Sequence, residues 1–265
     1  MFLQHFGFQT APFERDLSAE HFYNSPQFSE ALARLEYACH KRTLAVITGE
    51  AGSGKSTLAR ALFHRLDPNA YLHLYIVDSH LTPRNFYFLA LKELGINPPG
   101  QLPQLKSLFK KTALELFESK GKTLVLVLDE AQTLEASMLF ELRFLLNYQQ
   151  DSFSPLTVIL IGETALKASL RAYHMSGIWR RVEISYHLND MDFEQTKAYI
   201  NHQLKTAGCS HFLFPDDVIA RIQEKSRGLP AFINTLCRGC LLDAAHRKQE
   251  LIDGENLNRV LSDIA

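Results

Sequence analysis

The chain has 265 residues, a formal net charge of −1 and a pI of about 6.8. This length suffices for one large domain or two modest ones, each with its own core. The near-neutral charge excludes a protein that binds nucleic acid through bulk charge, so any DNA contact must come from a local patch. The N-terminus lacks a secretory signal pattern, and no segment reaches the roughly 18 apolar residues of a membrane helix. We therefore expect a cytoplasmic protein that does not enter the membrane.

Hydrophobic periodicity predicts strands and helices in alternation as far as residue 188. In chain order these are a helix over 27–41, a strand over 43–48, a helix over 55–66, a strand over 71–77, helices over 83–94 and 102–118, a strand over 123–130, a helix over 135–148, a strand over 156–161, a helix over 164–172 and a strand over 182–185. Such alternation specifies an α/β fold with a parallel sheet flanked by helices.

After residue 188 the pattern favours helices alone, and Gly228-Leu229-Pro230 separates two of them. The predicted helices lie at 191–206, 215–226, 229–247 and 253–263. We therefore expect three parts, which are a lead-in over 1–42 packed on the core, an α/β core over 43–188 and an all-helical lid over 189–265.

A complete G-x-x-x-x-G-K-[ST] motif follows the predicted strand over 43–48, and a helix follows the motif. Glycines allow successive backbone N–H groups to curl around a phosphate, and the helix N-terminus adds positive potential. A chance glycine-rich turn would lack this strand and helix, so we expect ATP to bind here. The expected nucleotide contacts are Gly49, Glu50, Ala51, Gly52, Ser53, Gly54, Lys55, Ser56 and Thr57. We call residues 49–56 the phosphate loop.

Within this loop, Lys55 is expected to reach the β- and γ-phosphates, and the Ser56 hydroxyl to ligate Mg²⁺. An uninterrupted apolar strand ends about seventy residues later in Asp129 and Glu130, as a Walker B strand does. Asp129 would hold Mg²⁺ through its water shell, and Glu130 would polarise the attacking water. An isolated Asp-Glu pair is often only a solvated turn, but the phosphate loop favours the catalytic interpretation.

Four cysteines fit a reducing compartment, and Cys237 and Cys240 form a C-x-x-C inside a predicted helix. No second ligand pair follows at zinc-site spacing, so buried structural cysteines are the better interpretation. The eleven histidines form no metal-binding motif.

These motifs together resemble an AAA+ ATPase of the ExeA-type family, over essentially the whole chain. The resemblance rests on the phosphate loop flanked by Thr48 and Thr57 and on the Walker B strand end Leu128-Asp129-Glu130-Ala131-Gln132. Two further features are Phe6-Gly7-Phe8 with Pro12-Phe13, and Gly228-Leu229-Pro230 with Asn234. It implies a phosphate-loop NTPase core with a helical lid, ATP and Mg²⁺ as ligands, and self-assembly into a ring or filament.

The ExeA-type family has two functional groups, which are ATPases of type II secretion and target-selection ATPases of transposons. The secretion members continue into a membrane helix and a periplasmic domain, whereas this sequence ends at Ala265, so we expect the transposition group. The implied function is an ATP-dependent oligomer on duplex DNA that recruits a transposase, with slow or DNA-stimulated hydrolysis. An ExeA-type secretion ATPase is the alternative. A phosphate-loop kinase is less consistent with the Asp-Glu pair and the helical lid.

The resemblance also implies an arginine finger, which is an arginine that a neighbouring subunit inserts into the ATP site. Trp179-Arg180-Arg181 lies at the matching position, with Arg181 as first choice and Arg180 as second, unless the pair only solvates a turn. Two departures from the family pattern matter. Ala231 replaces a sensor arginine, so we expect lid closure to couple weakly to the nucleotide state unless Arg227 or Arg238 substitutes. Glu163 replaces a neutral Gln, and because a carboxylate repels a triphosphate, this change suggests slow hydrolysis.

DNA contacts are expected from the loop over 79–85, which in such assemblies faces the central channel. Thr82 and Arg84 are the first candidates for phosphate contacts. Lys106, Lys110 and Lys111 on the next predicted helix are the second, because they suggest an i, i+4 basic face, although a solvated helix face is the more common explanation for such lysines.

Overall fold

The computed structural model describes residues 2–78, 81–172, 175–209 and 211–264. The strands are β1 (Leu44–Gly49), β2 (Tyr71–Val77), β3 (Thr123–Asp129), β4 (Leu156–Gly162) and β5 (Val182–Leu188). The helices are α1 (Phe2–Phe6), α2 (Pro26–Lys41), α3 (Lys55–Arg65), α4 (Pro83–Glu93), α5 (Leu102–Glu118), α6 (Ala136–Leu145), α7 (Thr164–Arg171), α8 (Ser176–Trp179), α9 (Phe193–Thr206), α10 (Asp216–Ser226), α11 (Pro230–His246) and α12 (Gly254–Ile264). Within these ranges, no helix combines the length and apolarity needed to cross a membrane.

The five strands form one parallel sheet in the order β2-β3-β4-β1-β5. Every residue of β1, β3 and β4 is buried, because helices cover both faces of the central strands. This burial explains the uninterrupted apolar runs and confirms the predicted α/β fold. The phosphate loop follows β1, and Asp129 ends β3, so both lie at the carboxyl edge of the sheet, where open α/β sheets bind ligands.

Most predicted elements lie within two residues of the observed ones, and the larger differences are at the sheet border. Strand β5 continues to Leu188, beyond the predicted end at 185, because half-buried Tyr186 and His187 pair with β1 despite their polarity. Helix α6 ends at Leu145, before the predicted 148, and Tyr148 then forms an antiparallel bridge with Phe153. The short helices α1 and α8 were not predicted.

The chain forms two compact units. The sheet unit comprises Gln27–Gly49 and Lys55–Leu188, and the helical unit comprises the segment that ends at Pro26, Glu50–Gly54 and the chain from Asn189 onward. The sequence placed residues 1–42 in one lead-in, whereas here the residues before Gln27 group with the helical unit and those from Gln27 onward with the sheet unit. Aromatic side chains of the N-terminal segment are buried in the core of the helical unit. The domain bounds stay a prediction.

In that core, Phe6, Phe8 and Phe13 lie among the apolar side chains of α9 to α12, and Phe13 packs edge-on against Phe214. The Gly228-Leu229-Pro230 motif has a steric origin in the same unit. Gly228 has φ +73°, and a Cβ atom there would lie 2.0 Å from the carbonyl oxygen of Met191. Only glycine permits this approach, and Pro230 then begins α11.

Candidate nucleotide-binding and catalytic site

The phosphate loop curls at two glycines that no other residue would readily replace. Gly52 and Gly54 adopt φ +84° and φ +98°, in the left-handed region that favours glycine. Lys55, the first residue of α3, is buried, and its Nζ donates a hydrogen bond of 2.9 Å to the carbonyl oxygen of Gly49. The ammonium group is thereby held over the loop that precedes it.

The hydroxyl of Ser53 is buried and has no hydrogen-bond partner among the described residues. A buried polar atom without a partner is costly, and a phosphate oxygen would satisfy it. With the curled backbone of Gly52 and Gly54 on either side of it, this hydroxyl fits a bound phosphate.

The middle of the loop belongs to the helical unit. The backbone N–H of Ala231, in the first turn of α11, donates a 3.2 Å hydrogen bond to the carbonyl oxygen of Gly52. A Cβ atom on Gly52 would lie 2.8 Å from the Cβ of Ala231. Gly52 is thus required both for its conformation and for this close approach.

Ser56 and Asp129, the expected Mg²⁺ residues, are brought together. The Ser56 hydroxyl donates to Asp129 Oδ2 at 3.1 Å, and Asp129 is buried at the end of β3. A hydroxyl and a carboxylate are oxygen donors of the kind that Mg²⁺ prefers, so the pair fits this ion. Elsewhere in the described residues, no group of three or more His, Cys, Asp or Glu side chains could hold a metal.

A third side chain at this position, Tyr75 of β2, was missed by sequence reasoning. Its hydroxyl donates to the same Oδ2 of Asp129 that accepts from Ser56. Burial of the phenol is the larger cause, and its hydrogen bond to Asp129 the second, that together raise the pKa of Tyr75 to about 12. The phenol therefore remains a donor at neutral pH. The available signal was the alternation of β2, which places His73, Tyr75 and Val77 together on one face of the strand.

Glu130 follows Asp129 with φ 54° and ψ 35°, a left-handed conformation that is uncommon for a residue with a side chain. Its exposed carboxylate accepts a 2.6 Å hydrogen bond at Oε2 from Nε2 of Gln132. The Oε1 atom of Gln132 in turn accepts from the backbone N–H of Glu163 at 3.0 Å. In the sequence, Gln132 contributes to the family resemblance, but its position predicts no role for it.

The two arginines expected to serve a neighbouring copy lie at the amino edge of the sheet. Arg180 is exposed, and Arg181 is partly buried in a groove that it lines with Arg42 and Glu183. Both arginines immediately precede β5, whereas the phosphate loop follows the opposite end of the neighbouring strand β1. The structure therefore does not bring them to the loop of their own chain.

The loop residues proposed to contact DNA have partners within the chain. Ser79 and His80 lie outside the described residues. Thr82 caps α4 by accepting a 3.3 Å hydrogen bond from the backbone N–H of Asn85, and Arg84 donates to the carbonyl oxygen of Gly100 at 3.2 Å. A role for Thr82 and Arg84 on DNA stays a prediction.

The lysines of α5 do not form a single basic face. Lys106 pairs at 2.6 Å with Glu141, a carboxylate that is only 6% exposed and also accepts from Tyr87. Lys110 donates a 3.4 Å hydrogen bond to the carbonyl oxygen of Asn147, just after α6, and its ammonium group lies over the ring of Tyr148. Lys111 is exposed and lies 3.6 Å from a carboxylate on its own helix. Lys106 and Lys110 therefore have structural partners in α6 and in the residues just after it.

In the helical unit, Ala231 lies at the first turn of α11, as described above. Arg227 is exposed and ends α10 in a left-handed conformation, and Arg238 lies 3.5 Å from Glu14. Cys237 and Cys240 are fully buried free thiols, and burial raises the pKa of Cys240 to about 12. Such thiols are inert toward metals and oxidants, as expected for structural cysteines.

Comparison with known proteins gives a family and a fold. A family model described as "AAA domain" matches residues 38–170. The chain is also 30% identical over 259 residues to the General secretion pathway protein A of Aeromonas hydrophila. This alignment covers 96% of this chain and 47% of that protein. The chain thus spans about half the length of the curated relative it matches.

Similar solved structures share the fold of the whole chain at low sequence identity. Cdc6p from Pyrobaculum aerophilum has a TM-score of 0.77 at 15% identity, covering 95% of this chain and 70% of that one. The Aeropyrum pernix ORC1 protein, solved in complex with DNA, has a TM-score of 0.70 at 16% identity, covering 95% and 68%. The Thermotoga maritima RuvB Holliday junction branch migration motor has a TM-score of 0.62 at 16% identity, covering 95% and 73%.

Proposed function

The chain belongs to the AAA domain family, and on that basis we propose that it is an ATPase that binds ATP with Mg²⁺ at the phosphate loop. The observation that carries the proposal is the convergence of three groups at the carboxyl edge of the sheet. These are the buried ammonium of Lys55 and the bonded pair of Ser56 and Asp129.

Each of these side chains has a distinct task in the proposed reaction. Lys55 offsets charge on the β- and γ-phosphates, and Ser56 and Asp129 hold the metal site together. When bound, Mg²⁺ supplies positive charge that neutralises the phosphate oxygens. Glu130 accepts the proton of the attacking water or polarises that water, which is the role of a general base.

We further propose that the ATPase assists assembly of type II secretion, as an ExeA-type protein. The support is the 30% identity to General secretion pathway protein A, which extends over 96% of this chain. That relative lends no support to the transposition hypothesis, and Lys106 and Lys110 are engaged within the chain. We therefore prefer the secretion role, with the ATPase acting as a homo-oligomer in the cytoplasm, where ATP is available.

Two substitutions test the ATPase proposal. Lys55→Ala removes a charge-assisted contact, so ATP affinity by calorimetry should fall on the order of 100-fold. Glu130→Gln keeps the shape but removes the base, so ATP should still bind while kcat falls on the order of 100- to 10,000-fold. The matched controls are Lys120→Ala and Glu118→Gln at exposed positions away from the loop. Wild-type turnover by Glu130→Gln, or unchanged affinity in Lys55→Ala, would contradict these assignments.

Fluorescence anisotropy on two unrelated duplexes separates the secretion role from the DNA-binding alternative. The alternative predicts cooperative binding that requires ATP and weakens steeply with salt, and an equal loss on both duplexes in Arg84→Ala. The secretion role predicts no such binding by protein that hydrolyses ATP. It also predicts that disrupting the gene lowers export of type II secretion substrates, and that Glu130→Gln fails to restore it.

A further inference from the structure

Gln132 lies between the proposed catalytic carboxylate and the end of β4. Its Nε2 lies 2.6 Å from Oε2 of Glu130, and its Oε1 lies 3.0 Å from the backbone nitrogen of Glu163. The orientation of the amide follows from chemistry. A backbone N–H can only donate, so the atom facing Glu163 must be the oxygen, and the NH₂ group must face Glu130. Gln132 is therefore a donor to the carboxylate.

The end of β4 is shaped to receive this amide. Gly162, the last residue of β4, is buried, and a Cβ atom there would lie 2.6 Å from Oε1 of Gln132 and 3.3 Å from its backbone nitrogen. Any side chain at this position would push the amide away from the strand. The glycine is thus a steric requirement for the placement of Gln132.

The backbone around Glu130 is held in place by further bonds. The left-handed conformation of Glu130 is disfavoured for a residue with a Cβ atom, so neighbouring contacts must maintain it. The Glu130 N–H donates to Oδ1 of Asp129 at 2.8 Å, and the hydroxyl of Thr133 donates to the Glu130 carbonyl at 2.8 Å. These bonds set the backbone, and the bond from Gln132 sets the side chain.

We propose that Gln132 is a positioning residue that aims the carboxylate of Glu130 at the attacking water. This inference rests on the proposed ATPase function. The hydrogen bond engages Oε2, and no hydrogen bond within the described ranges engages Oε1, which leaves that oxygen available to accept from the attacking water. Because the other end of the amide is fixed to β4, the geometry of the base depends on the strand end as well as on its own turn.

Gln132→Glu is the sharpest test, because it replaces the donor with a second carboxylate while an oxygen can still accept from the Glu163 N–H. At pH 8 the two carboxylates repel, so kcat should fall on the order of 10- to 100-fold, while KM and the ATP dissociation constant stay within about twofold. As the pH is lowered toward 5.5, the carboxyl group introduced by Gln132→Glu gains a proton and regains a donor. The ratio of variant to wild-type kcat should therefore rise.

Gln132→Leu and Gly162→Ala test the same geometry without a titrating group. Both should lower kcat by a similar factor, but their ratio to wild type should not change between pH 5.5 and pH 8. Gln104→Glu, on the exposed surface of α5, is the matched charge control and should behave as wild type. Gly162→Ala displaces the Gln132 amide by a change in β4 and leaves Gln132 itself intact. It therefore tests the same geometry even where a substitution at Gln132 disturbs folding.

A wild-type kcat in both Gln132→Leu and Gly162→Ala would overturn the inference. So would a raised kcat, which would mean that Gln132 restrains the base, or a loss of ATP affinity without a loss of kcat. Failure of the ATPase proposal itself is distinguishable. In that case the wild type would not hydrolyse ATP, or Glu130→Gln would match it, whatever the behaviour of the Gln132 variants.

Discussion

Arg180 and Arg181 are predicted to complete the ATP site of a neighbouring copy, and the sheet geometry gives the reason. Val182 and Leu188 are the ends of β5, which runs parallel to β1 with Leu188 opposite Gly49. Six steps of about 3.3 Å place the two arginines on the order of 20 Å from the start of the phosphate loop. An arginine side chain does not cover that distance, so these residues cannot reach phosphates bound to their own chain.

The perturbation is to mix two inactive proteins, the double variant Arg180→Ala/Arg181→Ala and Lys55→Ala. An arginine finger contributes on the order of a thousandfold or more to kcat, so the double variant alone should hydrolyse ATP at well under about 1% of the wild-type rate. Lys55→Ala alone should be inactive at ATP concentrations below its weakened dissociation constant. In a random 1:1 assembly, about one quarter of the head-to-tail interfaces combine an intact loop with intact arginines. The mixture should therefore recover up to about a quarter of the wild-type rate.

The assay is steady-state phosphate release across mixing ratios, with assembly followed by sedimentation in the same buffer. Recovery should peak near equal amounts and vanish at either extreme. Assembled mixtures that show no recovery at any ratio would refute a site shared between copies. Full activity in the double variant alone would instead show that neither arginine participates. The single variants then rank Arg181 against the more exposed Arg180.

Two further predictions follow from contacts that the sequence did not reveal. Tyr75→Phe removes one hydrogen-bond donor to Asp129. The Mg²⁺ concentration for half-maximal hydrolysis should therefore rise about fivefold, equivalent to ~1 kcal/mol. ATP affinity measured without Mg²⁺ should stay unchanged. An unchanged Mg²⁺ requirement would mean that the tyrosine does not orient the carboxylate. Lys106→Met leaves Glu141 without its cation and should lower the free energy of unfolding in urea by about 2 kcal/mol. This loss is smaller than that expected for a fully buried pair, because the Lys106 side chain is 36% exposed. Lys111→Met, the control on the same helix, should cost less than about 0.5 kcal/mol, and equal losses in the two variants would contradict a structural role for Lys106.

The fold was predictable wherever burial alone determines the pattern. Strands β1, β3 and β4 are covered on both faces, so their apolar runs identify them without further information. Strand β5 is an edge strand whose polar residues pair with β1, and its extent depends on that pairing rather than on composition. The placement of the N-terminal aromatic residues was likewise missed, because a local pattern does not indicate which of two cores will bury them.

The site divides in the same way. The phosphate loop and the Asp129-Glu130 pair could be predicted because consecutive residues carry their chemistry. The contacts of Tyr75 and Gln132 could not, because the first depends on strand pairing and the second on a bond to the backbone after β4. The lysines of α5 show a contact that spacing alone does not indicate. Spacing suggested a basic face, and Lys106 also pairs with a buried carboxylate that lies 35 positions away in sequence. A role for these lysines on DNA stays a prediction.

Ala231 shows how the helical unit can influence the phosphate loop without the arginine that the family pattern led us to expect. Its backbone N–H holds the carbonyl oxygen of Gly52, and its small side chain permits the close approach of these two residues. The contact uses a main-chain donor, so it depends on where α11 begins rather than on the length of a side chain. Gly228 and Pro230 determine that beginning, the first by its approach to Met191 and the second by its place in the first turn of the helix. A substitution at Gly228 should therefore disturb the loop through the position of α11, although Gly228 carries no group that could contact a nucleotide.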